Sequence, residues 1–358
     1  MHTRRATIAL LAGAGLAGCG ARGRLGVAAR PANDGRTQTL LVATTRSADP
    51  VPLAYGPDRA KTLDAARLVV SIPPGHRVGA IEWPPGPMPD PARHFALIGA
   101  QMLDGADAIV RAAATHARAG GDAEAVLFVH GYNNTFAEGV YRHAQIAWDY
   151  GLEGPQIHFA WASAGHPLGY AYDRDSALVA RDALADLILR LLADGRTRLT
   201  VAGHSMGWFL VMEALRQIAL MGRRAMLDRL AGVALISPDI DLDLFLAQAA
   251  ILSPLPQPFA VAVARNDRLL GLSSRLARGG TRLGSVADLE RLGDLGLYVI
   301  DLTGLRGGNG NHFLPGTSPA AIALMRGLRG AGDAPVPDIG LGPVRITLGL
   351  DGLQIAGR

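Results

Sequence analysis

From residue 123 onward, apolar runs of strand length alternate with segments whose apolar residues recur at helical spacing. Ala125-Val126-Leu127-Phe128-Val129 is an unbroken apolar run, as expected of a parallel strand covered on both faces. Phe136 to Tyr150 reads as a helix, Gln156 to Trp161 as a strand and Asp175 to Asp194 as an amphipathic helix. The stretch Arg198 to Glu213 opens as a buried strand and turns through Gly203-His204-Ser205-Met206-Gly207. It continues as an apolar helix through Met221. Gly232 to Ile236 is the next strand, and Asp241 to Leu252 a short helix closed by Pro254, Pro256 and Pro258. Strands over Phe259 to Ala264 and Leu297 to Leu302 precede a closing helix, Ser318 to Arg329, with Pro319 in its first turn.

The first third is less regular. Leu40 to Thr45 reads as a strand, and Leu68 to Ile72 and Arg77 to Ile81 as two more around the Pro73-Pro74-Gly75 turn. Five prolines make Trp83 to Pro91 an extended loop. Phe95 to Ala117, with helical spacing and no proline, reads as one long helix. Val344 to Leu350 is a candidate late edge strand. Repeated βα units of this length predict an α/β fold with a doubly wound, mostly parallel sheet over residues 38–330 and a C-terminal extension over 331–358. No internal repeat is present.

The N-terminus carries an address. Arg4 and Arg5 precede an apolar core, Ala6 to Ala17, too short for a transmembrane helix and suited to a signal peptide. It ends Leu16-Ala17-Gly18-Cys19, which resembles a bacterial lipobox, so residues 1–18 are expected to be removed and Cys19 lipidated. Residues 19–37, polar and rich in Gly and Arg, then read as a flexible tether. The expected location is the cell envelope, lipid-anchored and facing the periplasm. Gly20 in place of aspartate favours the outer membrane over the inner.

Composition narrows the partners. The chain has 358 residues and a formal charge of +4, which falls to +2 once Arg4 and Arg5 are removed. Lys61 is the only lysine, and the arginines are scattered among acids without aromatic interleaving, which argues against nucleic-acid binding. Cys19 is the only cysteine, so no internal disulfide or cysteine metal site can form. No metalloprotease, P-loop or calcium-loop pattern occurs; no metal and no cofactor are expected.

The chemistry centres on Ser205. In Gly-x-Ser-x-Gly between a strand and a helix, the serine sits on a strained turn with its hydroxyl exposed, and the helix aims its first amides at developing negative charge. A serine hydroxyl needs a base, and the base needs an orienting carboxylate. Only one histidine follows Ser205: His312, in the loop Gly307 to Phe313. Two acids compete to orient it. Asp267 follows the Phe259 to Ala264 strand, and Asp239 follows the strand before; Asp267 is favoured because the strand preceding the histidine loop is the usual source. The oxyanion donors expected are the amides of Met206 and of Tyr132, the latter in His130-Gly131-Tyr132-Asn133-Asn134. His130 and His204 flank the site and read as structural.

These residues resemble bacterial α/β-hydrolases of the esterase/lipase-like kind with unknown function, many of them lipoproteins. The resemblance runs roughly from Leu40 to Arg329. It rests on Val42-Ala43-Thr44-Thr45-Arg46, Phe128 to Asn134, Phe159-Ala160-Trp161-Ala162-Ser163, His204-Ser205-Met206-Gly207 running into Met212 to Gln217, Pro238-Asp239-Ile240-Asp241 and Asn266-Asp267. Ala162 stands where that family usually carries proline. The resemblance implies hydrolysis of small-molecule or lipid carboxylic esters through an acyl-enzyme and supports Ser205, Asp267 and His312 in their roles. An envelope lipoprotein that keeps the fold for binding, or an acyltransferase, are the alternatives.

Overall fold

The structure, a computed structural model, describes residues 23–32, 36–49, 54–120, 124–193, 195, 197–264, 266–267, 295–331, 345–348 and 354–356. The expected signal peptide and Cys19 lie outside the described residues. Among the described residues, eleven strands form one sheet: β1 (Thr37–Ala48), β2 (Tyr55–Ser71), β3 (Ala96–Leu103), β4 (Ala125–Val129), β5 (Gln156–Ala160), β6 (Leu199–His204), β7 (Leu230–Ile236), β8 (Phe259–Val263), β9 (Tyr298–Asp301), β10 (Arg345–Leu348) and β11 (Gln354–Ala356). Their order is β11-β10-β9-β8-β7-β6-β4-β5-β1-β2-β3. The middle, from β1 through β5, β4, β6, β7 and β8 to β9, is parallel, and antiparallel strands close both edges.

The main helices are α1 (Gly105–Gly120), α2 (Phe136–Tyr150), α3 (Tyr170–Ala193), α4 (Met206–Ile218), α5 (Leu242–Leu252) and α6 (Pro319–Ala331). One apolar cluster joins α1, α3, α4 and α5 to the sheet through residues such as Ile109, Leu187, Trp208 and Phe245. Separate clusters hold α2 (Phe136, Val140, Tyr141) and α6 (Ala321, Leu324). Helices on both faces explain why β4 is apolar throughout rather than alternating. The chain steps from β4 to β5, crosses back over β4 to β6, then runs outward to β9. That reversal puts the topological switch point of the sheet at the carboxyl ends of β4 and β6, where doubly wound sheets hold their ligands.

Several expectations need correction. Phe95 to Ala117 is not one helix: Ala96–Leu103 is a strand paired antiparallel with β2, and the helix starts at Gly105. Pairing with β2, from Ser71 opposite Ala96 to Ala65 opposite Leu103, satisfies this backbone, and it overrides a local spacing that fits either structure. Leu68 to Ile72 is the end of the 17-residue β2, whose partner β1 extends it far beyond the apolar run. Arg77 to Ile81 forms turns, with Ala80 N–H bonded to Arg77 O, and no strand. The segment read as a tether is docked over its described part. Gly26 pairs with Leu97 of β3 and with the Tyr141 hydroxyl, and Ala32 is buried. The late strand is present as Arg345–Leu348, on β9, but it is not the edge, because Gln354–Ala356 pairs outside it.

Candidate active site

Sequence and sheet together force the turn at Ser205. β6 lies between β4 and β7, and Ser205 N–H continues the ladder to Ile236 O at 3.0 Å before the chain reverses into α4. Ser205 takes φ 52°, ψ −126°, a conformation costing a non-glycine residue about 1–3 kcal/mol. A Cβ on Gly207 would stand 2.2 Å from His130 O and 2.6 Å from Val129 O, so α4 meets the end of β4 only with glycine there. The Ser205 side chain makes no capping bond to its own helix. Met206 is the first residue of α4, whose leading N–H groups have no partner within the helix.

The loop after β4 closes against this turn. A Cβ on Gly131 would lie 2.8 Å from His204 Nδ1 and 2.9 Å from Ser205 Cβ, so only glycine lets the loop backbone pack this closely on the turn at Ser205. The loop ends at Thr135, which caps α2. Its side chain accepts from Glu138 N–H at 3.3 Å and Glu138 Oε2 accepts from Thr135 N–H at 2.9 Å, a reciprocal cap contributing about 1 kcal/mol.

His312 lies on the turn between β9 and α6, its ring 5.0 Å from that of His204, the residue before Ser205. Its Nδ1 is 2.7 Å from Asp267 Oδ2, and the Asp267 side chain is fully covered. Asp267 follows β8, held by its N–H on Ala264 O. A carboxylate accepts only, so Nδ1 is the protonated nitrogen and Nε2 is left as the basic one. Asp239, the competing acid, is buried beyond β7. Burial first, then the charges of Asp173 and Asp239, raise the Tyr132 phenol. The segment after His312 is fastened to α2: Arg142 Nη1 donates to Gly316 O at 2.9 Å and Tyr150 OH to Pro315 O at 2.8 Å.

The flanking histidines are packed. His204 lies 3.9 Å from the Phe313 ring. Burial, then the nearby His312 and Arg142, hold its pKa well below the usual value, so it adds no charge beside His312. His130 stacks on Trp161 at 5.1 Å, and burial lowers it to about 3. Among the described residues no three His, Cys, Asp or Glu side chains are grouped to hold a metal ion. His312 and Asp267 are thus hydrogen-bonded beyond the carboxyl ends of β8 and β9, with the His312 ring 5.0 Å from that of His204, the residue before Ser205; Asp239 is not the carboxylate on His312 Nδ1. Sequence reasoning missed Arg46, Ser163 and Asp173, which brace the loop after β4 from behind. Arg46 and Ser163 stood in the motifs that carry the resemblance, but nothing in the sequence joined them to Asp173.

Residues 107–327, well over half of the chain, match the family model described as "Alpha/beta hydrolase of unknown function (DUF900)". No curated protein sequence matches. Among solved structures, the chain is similar to lipase B of Aspergillus fumigatus (16% identity, TM-score 0.39), covering 64% of this chain and 58% of that one. It therefore spans a little over half the length of that lipase. It is also similar to a fungal esterase of Rhizomucor miehei (13%, TM-score 0.36, covering 90% and 87%). A third is the ferulic acid esterase of Streptomyces cinnamoneus (13%, TM-score 0.38, covering 86% and 92%).

Proposed function

The chain belongs to the alpha/beta hydrolase family of unknown function (DUF900), and on that premise we propose that it is a serine hydrolase cleaving carboxylic esters through an acyl-enzyme. Ser205 Oγ attacks the ester carbonyl carbon while His312 Nε2 takes the hydroxyl proton. Asp267 holds the imidazole by its Nδ1–H and stabilises the imidazolium. The carbonyl oxygen, now an oxyanion, accepts from the Met206 and Tyr132 amides. Collapse breaks the ester C–O bond, and His312 returns the proton to the departing alkoxide, releasing the alcohol. Water, deprotonated by His312, then attacks the acyl-enzyme and releases the carboxylic acid, restoring Ser205.

The observation that carries this reading is the 2.7 Å His312–Asp267 bond beside a serine held at positive φ. The N-terminal residues add an anchored setting: Cys19 lipidated, with the catalytic domain facing the periplasm. The test is hydrolysis of nitrophenyl esters over a series of acyl lengths, with Ser205→Ala beside the parent chain and a fluorophosphonate probe mapped by mass spectrometry. Labelling at Ser205 and loss of turnover in the folded variant are expected; a parent chain that hydrolyses none of the esters and takes no probe refutes it. Mass analysis of Cys19 tests the anchor separately.

A further inference from the structure

Arg46 ends the buried part of β1, where a charged residue has no place by burial alone: it is 1% exposed. Burial lowers its pKa to about 10, opposed chiefly by Asp173, so it stays charged at neutral pH. Its guanidinium spreads over three backbone carbonyls. Nη1 donates to Gly56 O at 3.1 Å and Ser163 O at 3.0 Å, and Nη2 donates to Asn134 O at 2.7 Å. Asp173, in the first turn of α3 and fully buried, meets the same loop from the other side. Its Oδ2 accepts from Asn133 N–H at 3.0 Å and from Ser163 Oγ–H at 2.6 Å, while Oδ1 accepts from Ala164 N–H at 2.6 Å. Ser163 Oγ in turn accepts from Asn134 N–H at 3.1 Å.

The effect on the loop is directional. Asn134 Nδ2 donates to Gly131 O at 3.1 Å and to Tyr132 O at 2.9 Å, so both carbonyls are tied to Asn134, whose own backbone Arg46 and Ser163 hold. Asn133 sits at φ 56°, a conformation that persists only where its surroundings over-determine it. We propose that Arg46 and Asp173 are positioning residues: through Ser163 and Asn134 they lock the 131–134 backbone so that the Tyr132 amide is preset toward the oxyanion forming at Ser205. This rests on the reading of Ser205 and Tyr132 proposed above. A donor gains its catalytic leverage by being in place before charge develops, so loosening the brace acts on the transition state and not on substrate binding. Neither residue touches the reacting atoms.

The test compares the full chain with Asp173→Asn, Arg46→Lys and Asn134→Ala. Asparagine presents an N–H₂ to donors that need an acceptor, and lysine is a point charge that cannot span three carbonyls. Asn134→Ala, half-buried and uncharged, removes only the two bonds to the loop carbonyls and keeps the test alive should the charge variants fail to fold. For a nitrophenyl ester, kcat falls about 100-fold in Asp173→Asn and Arg46→Lys and about tenfold in Asn134→Ala, with KM within threefold. Affinity for a trifluoromethyl ketone, whose serine adduct carries the oxyanion, falls in parallel with kcat. Hydrogen exchange of the 131–134 amides accelerates in all three. A folded Asp173→Asn or Asn134→Ala that keeps kcat and ketone affinity within threefold of the parent overturns the proposal alone. A parent chain that fluorophosphonate does not label at Ser205 overturns the reading beneath it as well.

Discussion

Acidification from pH 7.5 to pH 5 should strip several kcal/mol from the stability of this fold. Between β4, β5 and α2 three imidazoles stack in the interior: His130 on His158 at 5.7 Å and His143 on His158 at 5.5 Å, with Phe128 against both His143 and His158. All three are at most 2% exposed. Among the described residues, both ring nitrogens of His158 and Nδ1 of His143 are buried without a hydrogen-bond partner, and His130 faces two carbonyl oxygens, only one of which a neutral ring can serve. Burial is the main cause of their lowered pKa values, about 3 for His130 and His143 and well below the ordinary value for His158. The folded rings are therefore neutral, while the unfolded chain binds protons at these positions once pH falls below about 6.5. Below that pH the unfolded state binds more protons than the folded one, so unfolding free energy falls as pH falls.

At pH 5 a histidine neutral in the fold contributes a loss of about 2 kcal/mol, and His130 with His143 about 4 kcal/mol. That figure depends on the unfolded pKa and barely on the folded one, provided the latter lies well under 5. His158 and His204 are lowered for the same reason and act in the same direction. His76 opposes them. Its pKa is raised because the hydrogen bonds and charges of Asp149 and Glu82 outweigh burial, so it contributes stability below about 6.5 that is lost as pH rises through its folded value. The roughly 4 kcal/mol from His130 and His143 alone is a large part of the 5–15 kcal/mol typical of a folded domain. The assay is urea unfolding at pH 7.5, 6.5, 5.5 and 5.0, a window above most carboxylate titration. His143→Gln should flatten the dependence by about 1.4 kcal/mol per pH unit near pH 5, one proton's worth. Stability at pH 5 within 1 kcal/mol of that at pH 7.5 would refute the reasoning.

Three further outcomes follow from the site. Ser205→Gly relieves the positive φ and should be more stable than Ser205→Ala by about 1 kcal/mol in the same unfolding assay, both being inactive. Asp267→Asn lets Nδ1 take the wrong tautomer and should lower kcat about 10⁴-fold against nitrophenyl esters while circular dichroism is unchanged. Gly207→Ala sets a methyl group against two backbone oxygens that cannot swing aside; a loss of about 3 kcal/mol is expected, and a neutral variant would mean that α4 can withdraw from β4.

The parallel half of the fold was legible because its elements carry their own punctuation. β4, β6, β7 and β8 are short apolar runs between helices with clear periodicity, and burial on both faces leaves that signature undiluted. The antiparallel edge was not. Tyr55–Ser71 owes its length to β1 and Ala96–Leu103 its extended form to β2, partners that a local window does not contain. A stretch such as Ala96-Leu97-Ile98-Gly99-Ala100 fits helix or strand equally well until its neighbour is known.

The site divides along the same line. Ser205 announces itself through two glycines that the backbone contacts of the turn require, and His312 by being the last histidine in the chain. Both acids follow strands, and the sequence favours Asp267 over Asp239 only because its strand precedes the histidine loop; the 2.7 Å bond to Nδ1 is what separates them in space. The brace behind the loop was out of reach for a physical reason. Arg46 meets Asn134 across 88 positions and Ser163 across 117, and each bond ends on a backbone oxygen, which carries no residue identity for a sequence to display. A charged residue at the end of an apolar strand looks like the place where the strand reaches water. Here it is where the strand's interior continues, and the charge is tolerated because three carbonyls and a nearby carboxylate replace the water it lost. Removing the arginine alone leaves those carbonyls and the buried Asp173 carboxylate uncompensated, so Arg46→Met should cost about 3–5 kcal/mol of unfolding free energy and free the 131–134 amides to exchange; an equally protected loop in that variant would assign Arg46 to packing alone.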